Sequence, residues 1–282
     1  MGARGLLGST LCQYLQYAGH LVYHFSRNTQ WPCSSESEIT DAISWSLRNI
    51  GPNCVINLIA ATNVDRCEED PINATLLNYF VPHLLSKICL GGPYLIHISS
   101  DQVYSGNGPH LENNAKPINT YACTKLSGEL PVIESGACVL RTNFFGKSQS
   151  AKRTSFSDWL VMAGRRGEKI KIFEDVLFSP LRMRTLSHAI LRAMELQLTG
   201  LFNVGTLDGI SKASFARLLF KHLELDDSLL ESSRLDNLGL YAKRPLDMRM
   251  NSAHFATTAN FDLPSIEREI NHEAIEYNKV TF

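Results

Sequence analysis

Short apolar runs alternate with longer amphipathic stretches over the first half of the chain. Apolar positions in residues 5–17 recur at helical spacing, whereas residues 21–25 and 54–59 are short apolar runs typical of strands. The pattern predicts, in chain order, helix 5–17, strand 21–25, helix 41–48, strand 54–59, helix 72–90, strand 94–98, helix 121–130 and strand 138–141. Strands separated by helices of this length need crossover connections, which indicates a parallel sheet.

The alternation loosens after about residue 146. Residues 148–154 are polar and basic and are predicted to form a loop, and further helices are expected at 156–165, 186–196, 212–222 and 265–277. The predicted fold class is therefore α/β. A doubly wound parallel sheet is expected over residues 1–146, followed by a smaller α-rich substrate-binding part over residues 147–282, some segments of which return to the sheet.

Composition narrows the class of protein. The 282 residues are 44% apolar and carry a net charge of −1, which argues against a disordered chain and against a general nucleic-acid or membrane-surface binder. Neither a membrane-spanning run nor a charged leader with an apolar segment is present in the sequence. The seven cysteines are scattered without a Cys-x-x-Cys pair, which favours reduced thiols over disulfides or a zinc site. We expect a cytoplasmic protein that binds no metal.

Gly2, Gly5 and Gly8 form a Gly-x-x-Gly-x-x-Gly turn that leads directly into the first predicted helix. Phosphate oxygens approach main-chain N–H groups closely only where no Cβ intervenes, and a helix N-terminus favours negative charge. The turn therefore predicts dinucleotide binding. The expected cofactor contacts in this segment are Gly2, Arg4, Gly5, Leu6, Leu7 and Gly8.

Ser26 and Arg27 follow the strand predicted at 21–25, where dinucleotide-binding proteins usually carry an acid for the ribose 2′-hydroxyl. A serine and an arginine suit a 2′-phosphate instead, which favours NADPH over NADH. The alternative for Arg27 is a solvated loop charge.

A third group of residues indicates catalysis. Strand 94–98 runs into Ser99-Ser100-Asp101, and Tyr121 and Lys125 follow at a spacing that places them on one helix face. A nearby ammonium stabilises the phenolate and lowers the pKa of a tyrosine from its usual value of about 10. Ser100, Tyr121 and Lys125 are therefore predicted to be catalytic, since a serine at the carboxyl end of a strand lies where open α/β sheets bind ligands. For Tyr-x-x-x-Lys alone, the alternative is an exposed helical pair.

With these parts in this order, the sequence resembles an extended short-chain dehydrogenase/reductase, and more narrowly the dTDP-4-dehydrorhamnose reductase family of sugar-nucleotide reductases. The segments that carry the resemblance are residues 2–8, 56–57, 63–68, 99–104, 117–129, 140–143, 178–180 and 244–245. They span nearly the whole chain.

The resemblance implies a Rossmann-type sheet and transfer of a hydride from NADPH, with NADH as the alternative, to the keto carbon of a nucleotide-linked sugar in deoxysugar or polysaccharide precursor synthesis. Tyr121 would protonate the developing alkoxide, Lys125 would hold the nicotinamide ribose, and Ser100 would polarise the carbonyl. The other implied contacts are Ala60, Ala61 and Thr62 toward the cofactor, and Asp101, Asn143, Arg244 and Arg249 toward the sugar nucleotide. Surface salt bridges are the alternative for both arginines, and a homodimer is compatible with the resemblance.

Two departures lie on the expected substrate side. Residues 174–178 read Glu-Asp-Val-Leu-Phe where the family usually has Asp-Asp-Gln, and Asn143 with Phe144 stands where Ser-Trp is more typical. The identity of the sugar is therefore left open. The alternatives are an epimerase or dehydratase on the same fold, although Gln102 replaces the usual dehydratase glutamate, and a regulatory subunit like that of methionine adenosyltransferase.

The glycine turn of such a fold follows a buried strand of about five residues. Met1 directly precedes the turn in this sequence. We therefore expect the sheet to lack its first, central strand, as a late start-codon assignment or a truncation would cause, and the neighbouring strands to expose ladder groups and apolar faces.

Overall fold

A parallel four-stranded sheet organises the computed structural model, which describes residues 1–25 and 35–279. Its strands lie in the order β1-β2-β3-β8. The strands of this chain are β1 Cys54–Asn57, β2 Tyr94–Ser100, β3 Cys138–Thr142, β4 Phe144–Phe145, β5 Ile170–Phe173, β6 Leu177–Phe178, β7 Leu181–Arg182, β8 Gly200–Val204, β9 Ile210–Ser211 and β10 Leu230–Ser233. Outside the large sheet, β4 pairs with β7, β5 with β10, and β6 with β9.

Helices cover both faces of the sheet. They are α1 Leu6–Tyr17, α2 Glu36–Ile50, α3 Val64–Glu69, α4 Pro71–Thr75, α5 Val81–Cys89, α6 Thr120–Glu134, α7 Phe156–Arg165, α8 Met183–Glu195, α9 Lys212–His222, α10 Ala253–Ala259 and α11 Ile266–Asn278, with a π-helical turn at Leu76–Phe80. One apolar core joins α1, α8 and α10 to the sheet, and another joins α2, α5 and α6 to its other face. This is the doubly wound arrangement predicted from the alternation.

A separate core lies in the second half of the chain. It is built from α7, α9, α11 and the β5–β10 pair, and includes Phe145 and Phe215, whose rings meet edge to face at 4.8 Å. Strand β8 pairs with β3 of the large sheet, and helix α8 packs on that sheet. The boundary at residue 146 stays a prediction.

Most predicted elements form, and two differ for identifiable reasons. Helix α2 begins five residues before the predicted start, because the Ser35 hydroxyl accepts a hydrogen bond from the Glu38 N–H and the Glu38 carboxylate accepts one from the Ser35 N–H in a capping box. The strand predicted at residues 21–25 is wrong, since these described residues carry no strand.

The reason lies in what the segment 21–25 pairs with. The Gly2 N–H donates to the Phe25 carbonyl at 2.9 Å, and the Met1 ammonium donates to the Ile56 carbonyl at 2.6 Å, so Met1 and Gly2 lie between this segment and β1. A cavity lined by Met1, Phe25 and residues of β1 continues from this point. A strand is defined by a continuous ladder of backbone hydrogen bonds to a neighbouring strand. In addition, the side chains of Leu21 and Tyr23 are 81% and 55% exposed, unlike those of a buried strand.

Across residues 1–25 and 35–279, we find no helix with both the length and the apolar character needed to cross a bilayer.

Candidate active site

The glycine turn brings backbone N–H groups to the N-terminus of α1. Gly2 has a φ of +80°, and a Cβ at Gly8 would lie 2.3 Å from the Gly2 carbonyl oxygen, so the turn requires glycine at both positions. No side chain caps α1 and its first turn holds no acid, which leaves the positive end of the helix available to an anion. The turn therefore fits a dinucleotide pyrophosphate.

A cleft beside this turn has the dimensions of a cofactor site and draws on three parts of the chain. It is lined by Gly2, Arg4 and Gly5 of the turn, by residues 58–60 after β1, and by the loop 149–153. The Ser150 hydroxyl donates to the Arg4 carbonyl at 3.0 Å, which holds this loop against the turn. The basic loop predicted at 148–154 thus lies beside the expected phosphate position.

The carboxyl end of β2 and the start of α6 bring Ser100 and Tyr121 together. Helix α6 begins at Thr120, with Asn119 as its cap, and the Glu68 carboxylate accepts from both the N–H and the hydroxyl of Thr120. Tyr121 is 7% exposed and packs in a small apolar cluster with Val64 and Cys67, while Ser100, at the end of β2, acts on its pKa. These contacts fix the tyrosine hydroxyl at the edge of the sheet where ligands bind in such folds.

The pKa of Tyr121 differs from the expected direction. Burial raises the pKa of Tyr121 to about 12, although the hydrogen bond with Ser100 lowers it in part. Burial likewise lowers the pKa of Lys125 to about 8, against the negative charge of Glu129, which raises it. The pKa of Tyr121 is therefore raised by desolvation and by the charge of Asp101, rather than lowered by Lys125 as the sequence predicts, and Tyr121 is a protonated acid throughout the neutral range.

Lys125 is buried against β2, and its contact with the nicotinamide ribose stays a prediction. Its side chain is 1% exposed, and Nζ donates to the Ile98 carbonyl at 2.8 Å and lies 3.3 Å from His97 Nε2. The helix spacing places it one turn after Tyr121 on the buried face of α6. The lysine is thus held on β2, the strand that ends in Ser100.

Asp101 and Asn143 meet next to Ser100. The Asn143 side chain donates to Asp101 Oδ2 at 2.6 Å, and the Ser100 hydroxyl donates to Asp101 Oδ1 at 3.3 Å. Burial raises the pKa of Asp101 to about 6, although the bond from Asn143 and the positive charge of Lys212 lower it. Two residues predicted on the substrate side are therefore brought to Ser100, the serine predicted to be catalytic, and the charge of Lys212 acts at the same place.

Ala60, Ala61 and Thr62 follow β1 toward the same edge. The Ala61 N–H donates to Asn78 Oδ1 at 2.8 Å, and Asn78 Nδ2 donates back to the Ala61 carbonyl at 3.2 Å. Ala61 packs against the small apolar cluster that contains Tyr121. Asn78 thus holds the segment that lies between the glycine turn and Tyr121.

Arg244 and Arg249 both form ion pairs within the chain. Arg244 pairs with Asp65 at 2.9 Å, and Arg249 pairs with Asp247 at 2.6 Å and donates to the Gly108 carbonyl at 3.2 Å. These contacts correspond to the structural alternative given for both residues. Their substrate contacts stay a prediction.

Ser26 and Arg27 lie outside the described residues, so their proposed contact with a 2′-phosphate also stays a prediction. Within the described part of the chain, no group of three or more His, Cys, Asp or Glu residues is arranged to hold a metal ion.

Several buried polar residues around the site could not be predicted from the sequence pattern. They are Asn57, Asn78, His97, Glu129 and Arg141. The one usable signal was Asn57, a polar residue that interrupts an otherwise apolar strand. The others become partners only through the pairing of β1, β2 and β3 and the docking of α6.

Comparisons with known proteins agree with this geometry. A probable low-salt glycan biosynthesis reductase of Haloferax volcanii is 28% identical, over 95% of this chain and 94% of its own. The dTDP-4-dehydrorhamnose reductase of Escherichia coli K12 is 26% identical, over 93% and 92%. Among solved structures, the dTDP-4-dehydrorhamnose reductase of Bacillus anthracis, in complex with NADP, superimposes with a TM-score of 0.86 over 98% of this chain and 97% of its own, at 24% identity. Residues 1–278 match the RmlD substrate-binding domain, and the chain belongs to that family.

Proposed function

We propose that this protein reduces the 4-keto group of a nucleotide-linked sugar, with NADPH as the hydride donor. The observation that carries the proposal is the convergence of Ser100, Tyr121 and Lys125 at one sheet edge, beside the cleft of the glycine turn. The names of the similar reductases support the same reaction class.

The chain's residues would supply two parts of the chemistry, and the cofactor would supply the third. Ser100 would donate a hydrogen bond to the substrate carbonyl, and Tyr121 would pass its proton to the oxygen as negative charge develops there. Tyr121 would be protonated at neutral pH, and the proton transfer would be favourable because an alkoxide is far more basic than a phenolate. Bound NADPH would supply the hydride to the carbonyl carbon.

The cofactor would be held by the turn and its neighbours. The residues proposed for it are the turn positions Gly2, Arg4, Gly5, Leu6, Leu7 and Gly8, with Ala60, Ala61, Thr62 and Lys125 toward the nicotinamide side and Ser26 and Arg27 toward the 2′-phosphate. NADP in the Bacillus anthracis complex supports this choice of cofactor. Asp101 and Asn143 are proposed to face the sugar.

An activity assay tests the reaction. Purified protein with NADPH and a panel of dTDP-, UDP- and GDP-linked 4-keto sugars should lose absorbance at the nicotinamide band with at least one member. Conversion of a sugar without NADPH consumption would indicate an epimerase or dehydratase instead. No turnover with any sugar, together with a co-purifying partner enzyme, would favour a regulatory subunit.

Gly8→Ala tests the proposed cofactor site. A Cβ at this position would displace the turn backbone, so we expect the Kd for NADPH to rise at least about tenfold, or ~1.4 kcal/mol, in a calorimetric titration. Gly92→Ala is the matched control, because its Cβ would meet nothing closer than the Cys89 carbonyl oxygen at 3.7 Å. Unchanged affinity in Gly8→Ala would rule out binding at this turn.

We also propose a cytoplasmic location, since the six cysteines of the described residues are all free thiols.

Size-exclusion chromatography with light scattering would establish whether the protein forms the homodimer that its resemblance allows.

A further inference from the structure

The buried residues Asn57, His97 and Lys125 form a chain that ends at the proposed active site. Strands β1 and β2 pair so that Asn57 and His97 are direct neighbours, and Asn57 Nδ2 lies 3.0 Å from His97 Nδ1. His97 Nε2 lies 3.3 Å from Lys125 Nζ. Asn57 and His97 are fully buried, and Lys125 is 1% exposed.

The backbone fixes the direction of the first hydrogen bond. The Ile59 N–H donates to Asn57 Oδ1 at 3.1 Å, so the amide oxygen faces Ile59 and the NH2 group faces His97. Asn57 is therefore the donor, and His97 Nδ1 is the acceptor. A neutral histidine that accepts at Nδ1 carries its proton on Nε2.

The second hydrogen bond follows from the first. His97 turns its Nε2–H toward Lys125 Nζ, which already donates to the Ile98 carbonyl at 2.8 Å. A neutral amine has two N–H groups and one lone pair, so it satisfies both neighbours, whereas an ammonium would place two donors against each other. We infer that Asn57 and His97 are positioning residues that present an N–H donor to Lys125 and favour its neutral amine.

Other charged groups act on Lys125 from the elements packed around it. On α6, Tyr121 lies one turn before it and Glu129 one turn after it, and Glu129 is paired with Arg141 of β3. From β2, His97 is kept neutral because burial lowers its pKa well below the usual value. Glu129 opposes the effect of His97, since its negative charge raises the pKa of Lys125.

This inference deepens the proposed function, because the ionisation of Lys125 sets the charge beside Tyr121 and the nicotinamide ribose. It can be tested without substrate or cofactor, so its failure would be distinct from failure of the proposed reaction. The first measurement is the tautomer of His97, from two-bond 15N–1H correlations of the imidazole ring. We expect a proton on Nε2 and none on Nδ1; an Nδ1–H tautomer or an imidazolium would overturn the inference.

The second measurement is the titration of Lys125 by NMR of 13C-labelled lysine, with the signal assigned by its loss in Lys125→Met. We expect His97→Phe, which keeps an aromatic ring and removes the N–H, to raise the midpoint by about one pH unit. Asn57→Leu frees the histidine to accept at Nε2 and should move the midpoint in the same direction. An unchanged or lowered midpoint in the folded variants would show that His97 does not act as the donor.

Discussion

Replacing Tyr121 with phenylalanine is expected to lower kcat for reduction of the keto sugar by about 10²–10⁴-fold. Tyr121 is buried beside Ser100, and burial raises its pKa to about 12, so it holds a proton at any physiological pH. Phenylalanine fills the same volume without a proton to donate. The affinity for NADPH, measured by calorimetry, should remain within about twofold of the wild-type value, since only a hydroxyl is removed.

Tyr94→Phe provides the matched control for this experiment. The Tyr94 hydroxyl donates to the backbone carbonyls of Ala193 and Leu198 at 3.2 and 2.6 Å, at the opposite end of β2 from Ser100. We expect this variant to lose about 1 kcal/mol of stability and to keep its kcat. Retention of more than about a tenth of the activity in Tyr121→Phe would assign proton donation to another group, against the range expected for a general acid.

The fold could be predicted from the sequence wherever local periodicity and burial agree. Helices at 156–165 and 212–222 coincide with α7 and α9, because their apolar residues form a continuous stripe and each has a serine cap. The segment 21–25 had an equally apolar pattern but does not form a strand. Strand formation depends on a partner in the sheet, which a local pattern does not contain.

The residues of the candidate site also differ in whether the sequence alone could identify them. Ser100, Tyr121 and the glycine turn were recognisable because their spacing is a property of the chain itself. The partner of Lys125 was not, since His97 reaches it only through the docking of α6 on β2. The raised pKa of Tyr121 also follows from burial, which the interval between Tyr121 and Lys125 does not reveal.

Arg141→Met is expected to lower the free energy of unfolding by about 3–5 kcal/mol, because it leaves the carboxylate of Glu129 buried without its partner. Arg141 donates to the Glu129 carboxylate from Nε at 3.0 Å and from Nη2 at 2.6 Å. Its Nη1 donates to the Tyr104 hydroxyl at 2.8 Å. The Ser99 hydroxyl also donates to Glu129. Urea unfolding at neutral pH measures the loss, provided that two probes give the same transition.

Two further variants test whether the buried ion pair between Arg141 and Glu129 causes this loss of stability. Arg166→Met breaks an ion pair in which Arg166 Nη1 lies 3.8 Å from Glu168 Oε1, with the two side chains 66% and 56% exposed. This variant should change the free energy of unfolding by no more than about 0.5 kcal/mol. The double variant Arg141→Met/Glu129→Leu removes both charges and should recover most of the stability lost by the single one. A double variant as unstable as the sum of the two single variants would contradict the ion-pair explanation.

The double variant should still differ from the wild type at the active site. Glu129 lies one helical turn after Lys125, and its negative charge raises the pKa of that lysine. Removing the carboxylate should therefore move the Lys125 titration to lower pH, opposite to the effect expected for His97→Phe. Recovered stability together with an unchanged Lys125 midpoint would show that the ion pair supports the strands around Ser99 without acting on the lysine.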